Sequence, residues 1–137
     1  MVEFVNQTDF PLPFTETDLS SWLMNVVTHE HKTLGDLTII LGRDDWLLEY
    51  NKTYLQHDYY TDIITFDYTE ENLVSGDLLI SIDRVIDNAN TLNVPRETEL
   101  MRVIVHGLLH LLGYKDKSDE DILLMRSKED YYLGLLV

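Results

Sequence analysis

The stretch HGLLHLLGYKD, residues 106–116, places two histidines inside a leucine-rich run that ends at a glycine. His106 and His110 are four residues apart, so on a helix they share one face and lie about 6 Å apart along its axis. Gly113 is suited to end such a helix in a left-handed turn, after which the chain can bring Asp116 back over the same face. Two imidazole nitrogens and one carboxylate oxygen would form a three-ligand zinc site with a fourth position left for water.

The histidine spacing alone leaves two interpretations open. An HxxxH pattern is also typical of packed histidines that are hydrogen-bonded inside a protein core. The glycine and the acid that follow favour the metal site. A zinc peptidase of the HExxH kind is excluded, because Gly107 stands where the general-base glutamate is needed.

The remainder of the chain predicts alternating strands and helices that would support this helix. Thr15 with Asp18 and Ser118 with Asp121 have the spacing of helix capping boxes, and Pro95 suits the first turn of the helix that runs to about Leu112. The other segments, in order, are VEFVN (strand), LTIILG (strand), RDDWLLEYNKTYL (helix), DIITFDY and GDLLISI (two adjacent, antiparallel strands) and RVIDNANTL (helix). The order predicts an α/β fold of α+β-like character, with a small mixed sheet of about four strands and about five helices on at least one face.

Length and composition predict a single domain over residues 1–137. Without cysteine, neither a disulfide framework nor a thiolate metal site can form. The first residues, MVEFVNQTDF, lack the pattern of a signal peptide, and the longest apolar run, 103–114, is too short to span a bilayer. We therefore expect a soluble, cytoplasmic protein with no membrane partner.

The chain is strongly acidic, with ten basic residues, twenty-five acidic residues and a formal charge of −15. Affinity for a nucleic-acid backbone comes largely from lysine and arginine. The charge therefore weighs against unaided binding to RNA or DNA, and any RNA-related function has to overcome it.

The stretch around the histidines resembles the YbeY family of bacterial metal-dependent endoribonucleases and ribosome-maturation factors. That family carries H-G-x-L-H-L-x-G-Y-D-H, which is matched here from His106 to Tyr114. Upstream, NKTYLQHDYYTDIITF resembles the family's N-x-x-Y-R…T-D-V-L-S-F segment, and GDLLIS resembles its G-D-I-x-I-S. Met125 and Glu129 also fall where the family's last helix has them.

The resemblance implies a small mixed sheet, one zinc ion on three ligands, and cleavage of single-stranded RNA during maturation and quality control of small-subunit ribosomal RNA. The metal ligands, which would also be the catalytic residues, would be His106, His110 and Asp116. Nickel, iron or manganese would suit the same nitrogen and oxygen ligands. The implied partners are the small ribosomal subunit and its basic proteins, and no DNA is expected.

Two positions depart from the family pattern. The third ligand is usually histidine, where this chain has Asp116, a mild exchange because carboxylate is an accepted zinc ligand. The basic residue of N-x-x-Y-R, thought to meet the substrate phosphate, is Leu55 here. His57, Arg96 and Arg102 are candidates to replace it, although each is also explained as an ordinary surface group.

Three functions compete on these grounds. The leading one is a zinc-dependent endoribonuclease. The alternative is a metal-stabilised ribosome-assembly factor with little or no catalysis, which the acidic surface and Leu55 favour. The third, metal-dependent hydrolysis of a small molecule, leaves the upstream segments unexplained. Asp62 and Asp77, which border strands, could orient a ligand histidine from behind or serve as turn-forming acids.

Overall fold

A computed structural model of the protein describes residues 1–136, and these form four strands and five helices. In chain order the elements are β1 (Val2–Asn6), α1 (Glu16–His29), β2 (Thr33–Gly42), α2 (Asp44–Leu55), β3 (Ile63–Asp67), β4 (Leu73–Ser81), α3 (Ile82–Leu92), α4 (Arg96–Leu111) and α5 (Asp119–Leu133). The predicted α/β class and the order of elements are confirmed. Within residues 1–136, no helix combines the length and the apolar character that crossing a bilayer requires.

The four strands form one mixed sheet in the order β1-β2-β4-β3. β1 and β4 both run parallel to β2, and β3 pairs antiparallel with β4, as the sequence predicted. β2 begins four residues earlier than expected, because Thr33 and Leu34 pair with the start of β4. A register irregularity between Leu34 and Leu37 follows. Because it interrupts the regular alternation of the strand, the sequence pattern does not reveal this first part.

Helices cover both faces of the sheet. Alternate residues of a strand point to opposite faces, and Leu78 and Leu79 accordingly belong to two different hydrophobic clusters. The larger cluster includes side chains of α1, α3, α4 and α5, whereas the smaller one is built on Leu47 of α2. The prediction of cover on at least one face is therefore confirmed and extended.

α4 is the central helix of the larger cluster, and its contact with the sheet depends on Gly107. A Cβ at this position would lie 2.6 Å from Ile63 Cδ1 and 2.9 Å from Leu78 Cδ2. Only glycine lets the helix approach β3 and β4 this closely. The face that carries His106 and His110 is turned away from this contact and remains partly exposed.

The helix ends show the capping that the sequence predicted, with one difference. The Thr15 side chain accepts from the Asp18 amide, and Ser118 and Asp121 form a complete capping box. Pro95 is the residue before the first turn of α4 rather than part of it, with an extended conformation at φ −60° and ψ 144°. Its lack of an N–H suits either position, since the first amides of a helix have no partner inside it.

Candidate metal centre

The centre lies where α4 ends. Gly113 has φ +102°, in the left-handed region, which confirms the predicted turn. The Gly113 amide donates to the His110 carbonyl at 3.0 Å, and the Tyr114 amide donates to the Leu109 carbonyl at 3.0 Å. These two bonds form a Schellman motif, which closes the helix and reverses the chain. Asp116 then returns to the face that carries the histidines.

The three side chains predicted as ligands converge on one point. His106 Nε2 and His110 Nε2 are 3.0 Å apart. One oxygen of Asp116, Oδ2, lies 3.5 Å from the first nitrogen and 3.3 Å from the second. For tetrahedral zinc with bonds of about 2.0–2.1 Å, neighbouring ligand atoms should be about 3.3 Å apart. The triangle fits a transition-metal ion, and the group could hold one.

The hydrogen bonds behind the two imidazoles determine which nitrogens face the centre. His106 Nδ1 lies 2.6 Å from Glu129 Oε2, and His110 Nδ1 lies 3.0 Å from the Tyr114 carbonyl oxygen. Both partners are acceptors, so each Nδ1 donates its proton to its partner and each Nε2 is the ring atom that faces the centre. Two imidazole nitrogens and a carboxylate oxygen are a suitable ligand set for a divalent transition-metal ion. A metal ion is therefore a better partner for this group than another core side chain.

Glu129 of α5 holds His106 in place. It is 4% exposed and also accepts from Arg102 Nη1 at 2.9 Å. Burial alone would lower the pKa of His106, but the hydrogen bond and negative charge of Glu129 outweigh it, and the pKa of His106 is raised. Burial likewise would raise the pKa of Glu129, yet His106 and Arg102 bring it below the ordinary value. Such a carboxylate behind a ligand histidine fixes its tautomer and ring orientation.

Tyr114 holds His110 through its backbone carbonyl and is itself anchored on Glu30, the residue that caps the C-terminal end of α1. Its hydroxyl donates to Glu30 Oε1 at 2.6 Å. Glu30 also accepts from the Tyr132 hydroxyl and from Lys128 Nζ of α5. Burial opposes ionisation of Glu30, but these donors lower its pKa overall, so the carboxylate is held charged. The turn after α4 is thereby tied to both flanking helices.

A cavity of ≈ 360 Å³ opens beside the centre, with His106 and Asp116 in its wall. Two further carboxylates line it, Asp62 and Glu99, and burial raises the pKa of both. Asn88 donates to Asp62 at 3.3 Å. Glu99 Oε1 is buried and, among residues 1–136, has no hydrogen-bond partner. Both acids therefore hold a proton more readily than exposed carboxylates.

Of the three residues that could replace the missing basic residue at position 55, only one lies at the cavity. Arg102 lines it but is paired with Glu129 and Asp130, whereas Arg96 is exposed at the start of α4 and is not part of the wall. His57 instead bonds to the Tyr59 hydroxyl at 2.9 Å.

The two aspartates considered for orienting a ligand histidine also separate. Asp62 reaches the cavity, whereas Asp77 accepts from Tyr68 at another surface. Two functional residues were not predicted from the sequence. One is Glu129, in its role as the hydrogen-bond partner of His106, and the other is Arg126, which also lines the cavity. The family's last helix had marked the position of Glu129, but its partner is set by tertiary packing.

The chain is similar to known proteins over nearly its whole length. Residues 4–136 match the profile of the family described as Endoribonuclease YbeY. Proteins of that name from Flavobacterium psychrophilum and Flavobacterium johnsoniae are 48% and 49% identical over 135 residues, with 98% of this chain and 96% of each relative covered. A solution structure of a Thermotoga maritima protein is similar at a TM-score of 0.70 and 27% identity, with 99% of this chain and 89% of that chain covered.

Proposed function

Because the chain belongs to the endoribonuclease YbeY family and is thus an enzyme of the nuclease class, we propose that it hydrolyses single-stranded RNA with one zinc ion held by His106, His110 and Asp116. The observation that supports this most is the convergence of His106 Nε2, His110 Nε2 and one oxygen of Asp116, which lie 3.0–3.5 Å from one another. The whole chain, 1–137, would act as one domain.

A zinc ion at this centre would supply a Lewis acid for the scissile phosphate and would make water more acidic. The protein's own groups have separate tasks. Glu129 and the Tyr114 carbonyl keep both Nε2 lone pairs directed at the centre. Asp62 and Glu99, in the wall of the same cavity, are the carboxyls able to take or give a proton near the reacting phosphate.

The test is metal content together with cleavage. Protein purified without a histidine tag should contain about one transition-metal ion per chain, and the loaded, nuclease-free protein should cleave single-stranded RNA. His110→Ala should lose both, because two remaining ligands do not complete a zinc site. Loaded protein that binds metal and cleaves no RNA, alone or on the ribosome, would favour the assembly-factor alternative.

We further propose that the natural substrate is small-subunit ribosomal RNA in the cytoplasm, presented by the ribosome. A net charge of −15 repels free RNA over about a Debye length of 8 Å at physiological salt. A basic ribosomal protein docked on the acidic surface would cancel that repulsion and raise the local concentration of RNA at the centre. Cleavage should thus be slow on naked RNA and faster, at defined positions, on the small subunit. Tight binding to naked RNA that weakens steeply with salt would contradict this.

A further inference from the structure

Two arginines line the cavity beside the metal centre, and their surroundings differ. Arg102 is 20% exposed and makes two short ion pairs, at 2.9 Å to Glu129 and 2.7 Å to Asp130. Arg126 is 54% exposed, and its ion pair with Glu129 is long, 3.7 Å from Nη1 to Oε1. The charge of Arg102 is thus already neutralised, whereas that of Arg126 is largely available to a ligand.

We propose that Arg126 binds a phosphate of the RNA substrate next to the scissile bond and supplies the cation that Leu55 does not. This rests on the proposed function. The group to be bound is a phosphodiester, for which the planar guanidinium offers two parallel N–H donors. Leu55, at the end of α2, is apolar and 43% exposed, so it cannot provide such a contact.

The position of Arg126 suits this role because a single carboxylate separates it from a metal ligand. Glu129 faces Arg126 with Oε1 and His106 with Oε2. A phosphate near His106 is therefore within reach of the guanidinium across the cavity. A half-exposed ion pair at 3.7 Å contributes little, and Glu129 would keep Arg102 and His106 if Arg126 turned to a phosphate.

The charged groups around the cavity repel a phosphate less than the net charge of −15 for the whole chain suggests. Of its acids, Asp116 would be neutralised by a bound cation, and Glu129 is paired with Arg102 at 2.9 Å. The other two acids, Asp62 and Glu99, are held by α4 and by the segment before β3, and burial raises the pKa of both. Arg126, with its single long contact to Glu129, is then the cation beside the centre that is most available to a phosphate.

The experiment compares four zinc-loaded, full-length proteins: the parent, Arg126→Gln, Arg126→Lys and Lys32→Gln. Lys32 is the matched control, because its loss removes the same charge at a site outside the cavity, where it donates to Asn72. The readouts are zinc content, the unfolding midpoint, kcat and KM on a short single-stranded RNA, and the binding of inorganic phosphate by calorimetry.

Arg126→Gln should raise KM roughly tenfold, as expected for loss of one hydrogen bond between charged groups, with zinc content unchanged. It should also reduce the slope of log affinity against log salt by about 0.7, which corresponds to one phosphate contact on a single strand. Inorganic phosphate should bind this variant roughly tenfold more weakly than it binds the parent. Arg126→Lys should recover part of the loss, and Lys32→Gln should stay within about twofold of the parent, because Lys32 does not line the cavity.

The outcomes separate the two proposals. If the parent cleaves RNA and Arg126→Gln matches it in KM and salt slope, the assignment of Arg126 is overturned while the proposed function stands. Equal losses in Arg126→Gln and Lys32→Gln would overturn it as well, since they would indicate a diffuse field instead of a contact. A loaded parent that cleaves no RNA, neither the free single strand nor the small ribosomal subunit, overturns both.

Discussion

The buried carboxylate of Glu129 provides a sharp test of how the metal centre is organised. Its two oxygens serve different donors, His106 Nδ1 at 2.6 Å and Arg102 Nη1 at 2.9 Å. Glu129→Gln keeps the size of the side chain but replaces one oxygen by an NH₂ group. Whichever way the amide is turned, one of the two donors then faces another donor and its hydrogen bond is lost.

We expect the centre in Glu129→Gln to bind zinc about 10–100-fold more weakly, the usual cost of losing the partner behind a ligand histidine. A neutral amide is a weaker acceptor than the carboxylate, and where its NH₂ group faces Nδ1 the imidazole of His106 is no longer held with Nε2 directed at the centre. The measurement is competition with a chromogenic chelator at fixed pH. The free energy of unfolding of the metal-free variant, measured in parallel with urea, separates weaker binding from loss of folded protein.

Asp130→Asn is the matched control for this substitution. Asp130 is the next residue of α5, carries the same charge and accepts from the same Arg102, at 2.7 Å, but it makes no contact with His106. Its variant should bind zinc within about twofold of the parent, because a 60% exposed ion pair contributes little. Equal zinc affinities for Glu129→Gln and Asp130→Asn would refute the orienting role of the buried carboxylate.

Three further predictions concern the centre and its support. Asp116→His should keep zinc and activity, whereas Asp116→Ala should lose much of both, as measured by metal content and RNA cleavage, because imidazole can fill the same tetrahedral position and alanine leaves it to solvent. In the metal-free protein the pKa of His106 is raised above its value of about 6.5 in the unfolded chain. The protonated side chain therefore stabilises the fold below about pH 6.5, and this contribution is lost as pH rises through the pKa of the folded protein. Urea unfolding in the presence of a chelator should show this decline in the parent and not in His106→Gln. Gly107→Ala should destabilise the protein by about 1–3 kcal/mol through overpacking, and Ile63→Val in the same chain should recover part of the loss by removing the Cδ1 atom in the way.

Local patterns carried most of what could be predicted from the sequence. The spacing of His106 and His110, the left-handed turn at Gly113 and the Ser118 cap all depend on neighbours within a few residues, and the structure bears out the turn and the cap. The α/β class followed from the order of such segments. Their side-chain types also indicated the chemistry that the turn brings together.

What the sequence could not predict depends on residues that are distant along the chain. The contact between His106 and Glu129 spans 23 positions, and that between Tyr114 and Glu30 spans 84. Each requires the packing of α5 and α1 against the sheet and α4, which periodicity does not specify. The same applies to Arg126, which looks like an ordinary surface charge until α5 is docked beside the cavity.

The close approach of α4 to the sheet at Gly107 leaves only one side of the metal centre open to functional side chains. A side chain on the residue after the first histidine would point into Ile63 and Leu78, not towards the metal ligands. Helical zinc peptidases of the HExxH kind carry their general base on that next residue. This fold cannot place a glutamate there unless the packing of α4 on the sheet is loosened. Groups that exchange protons with the reacting centre can be changed only in the wall of the cavity, which is formed by α3, α5, the segment before β3 and the cavity-facing side of α4. Variation in reactivity among proteins built on this helix should therefore accumulate in that wall, while the side of the helix that packs on the sheet stays constrained.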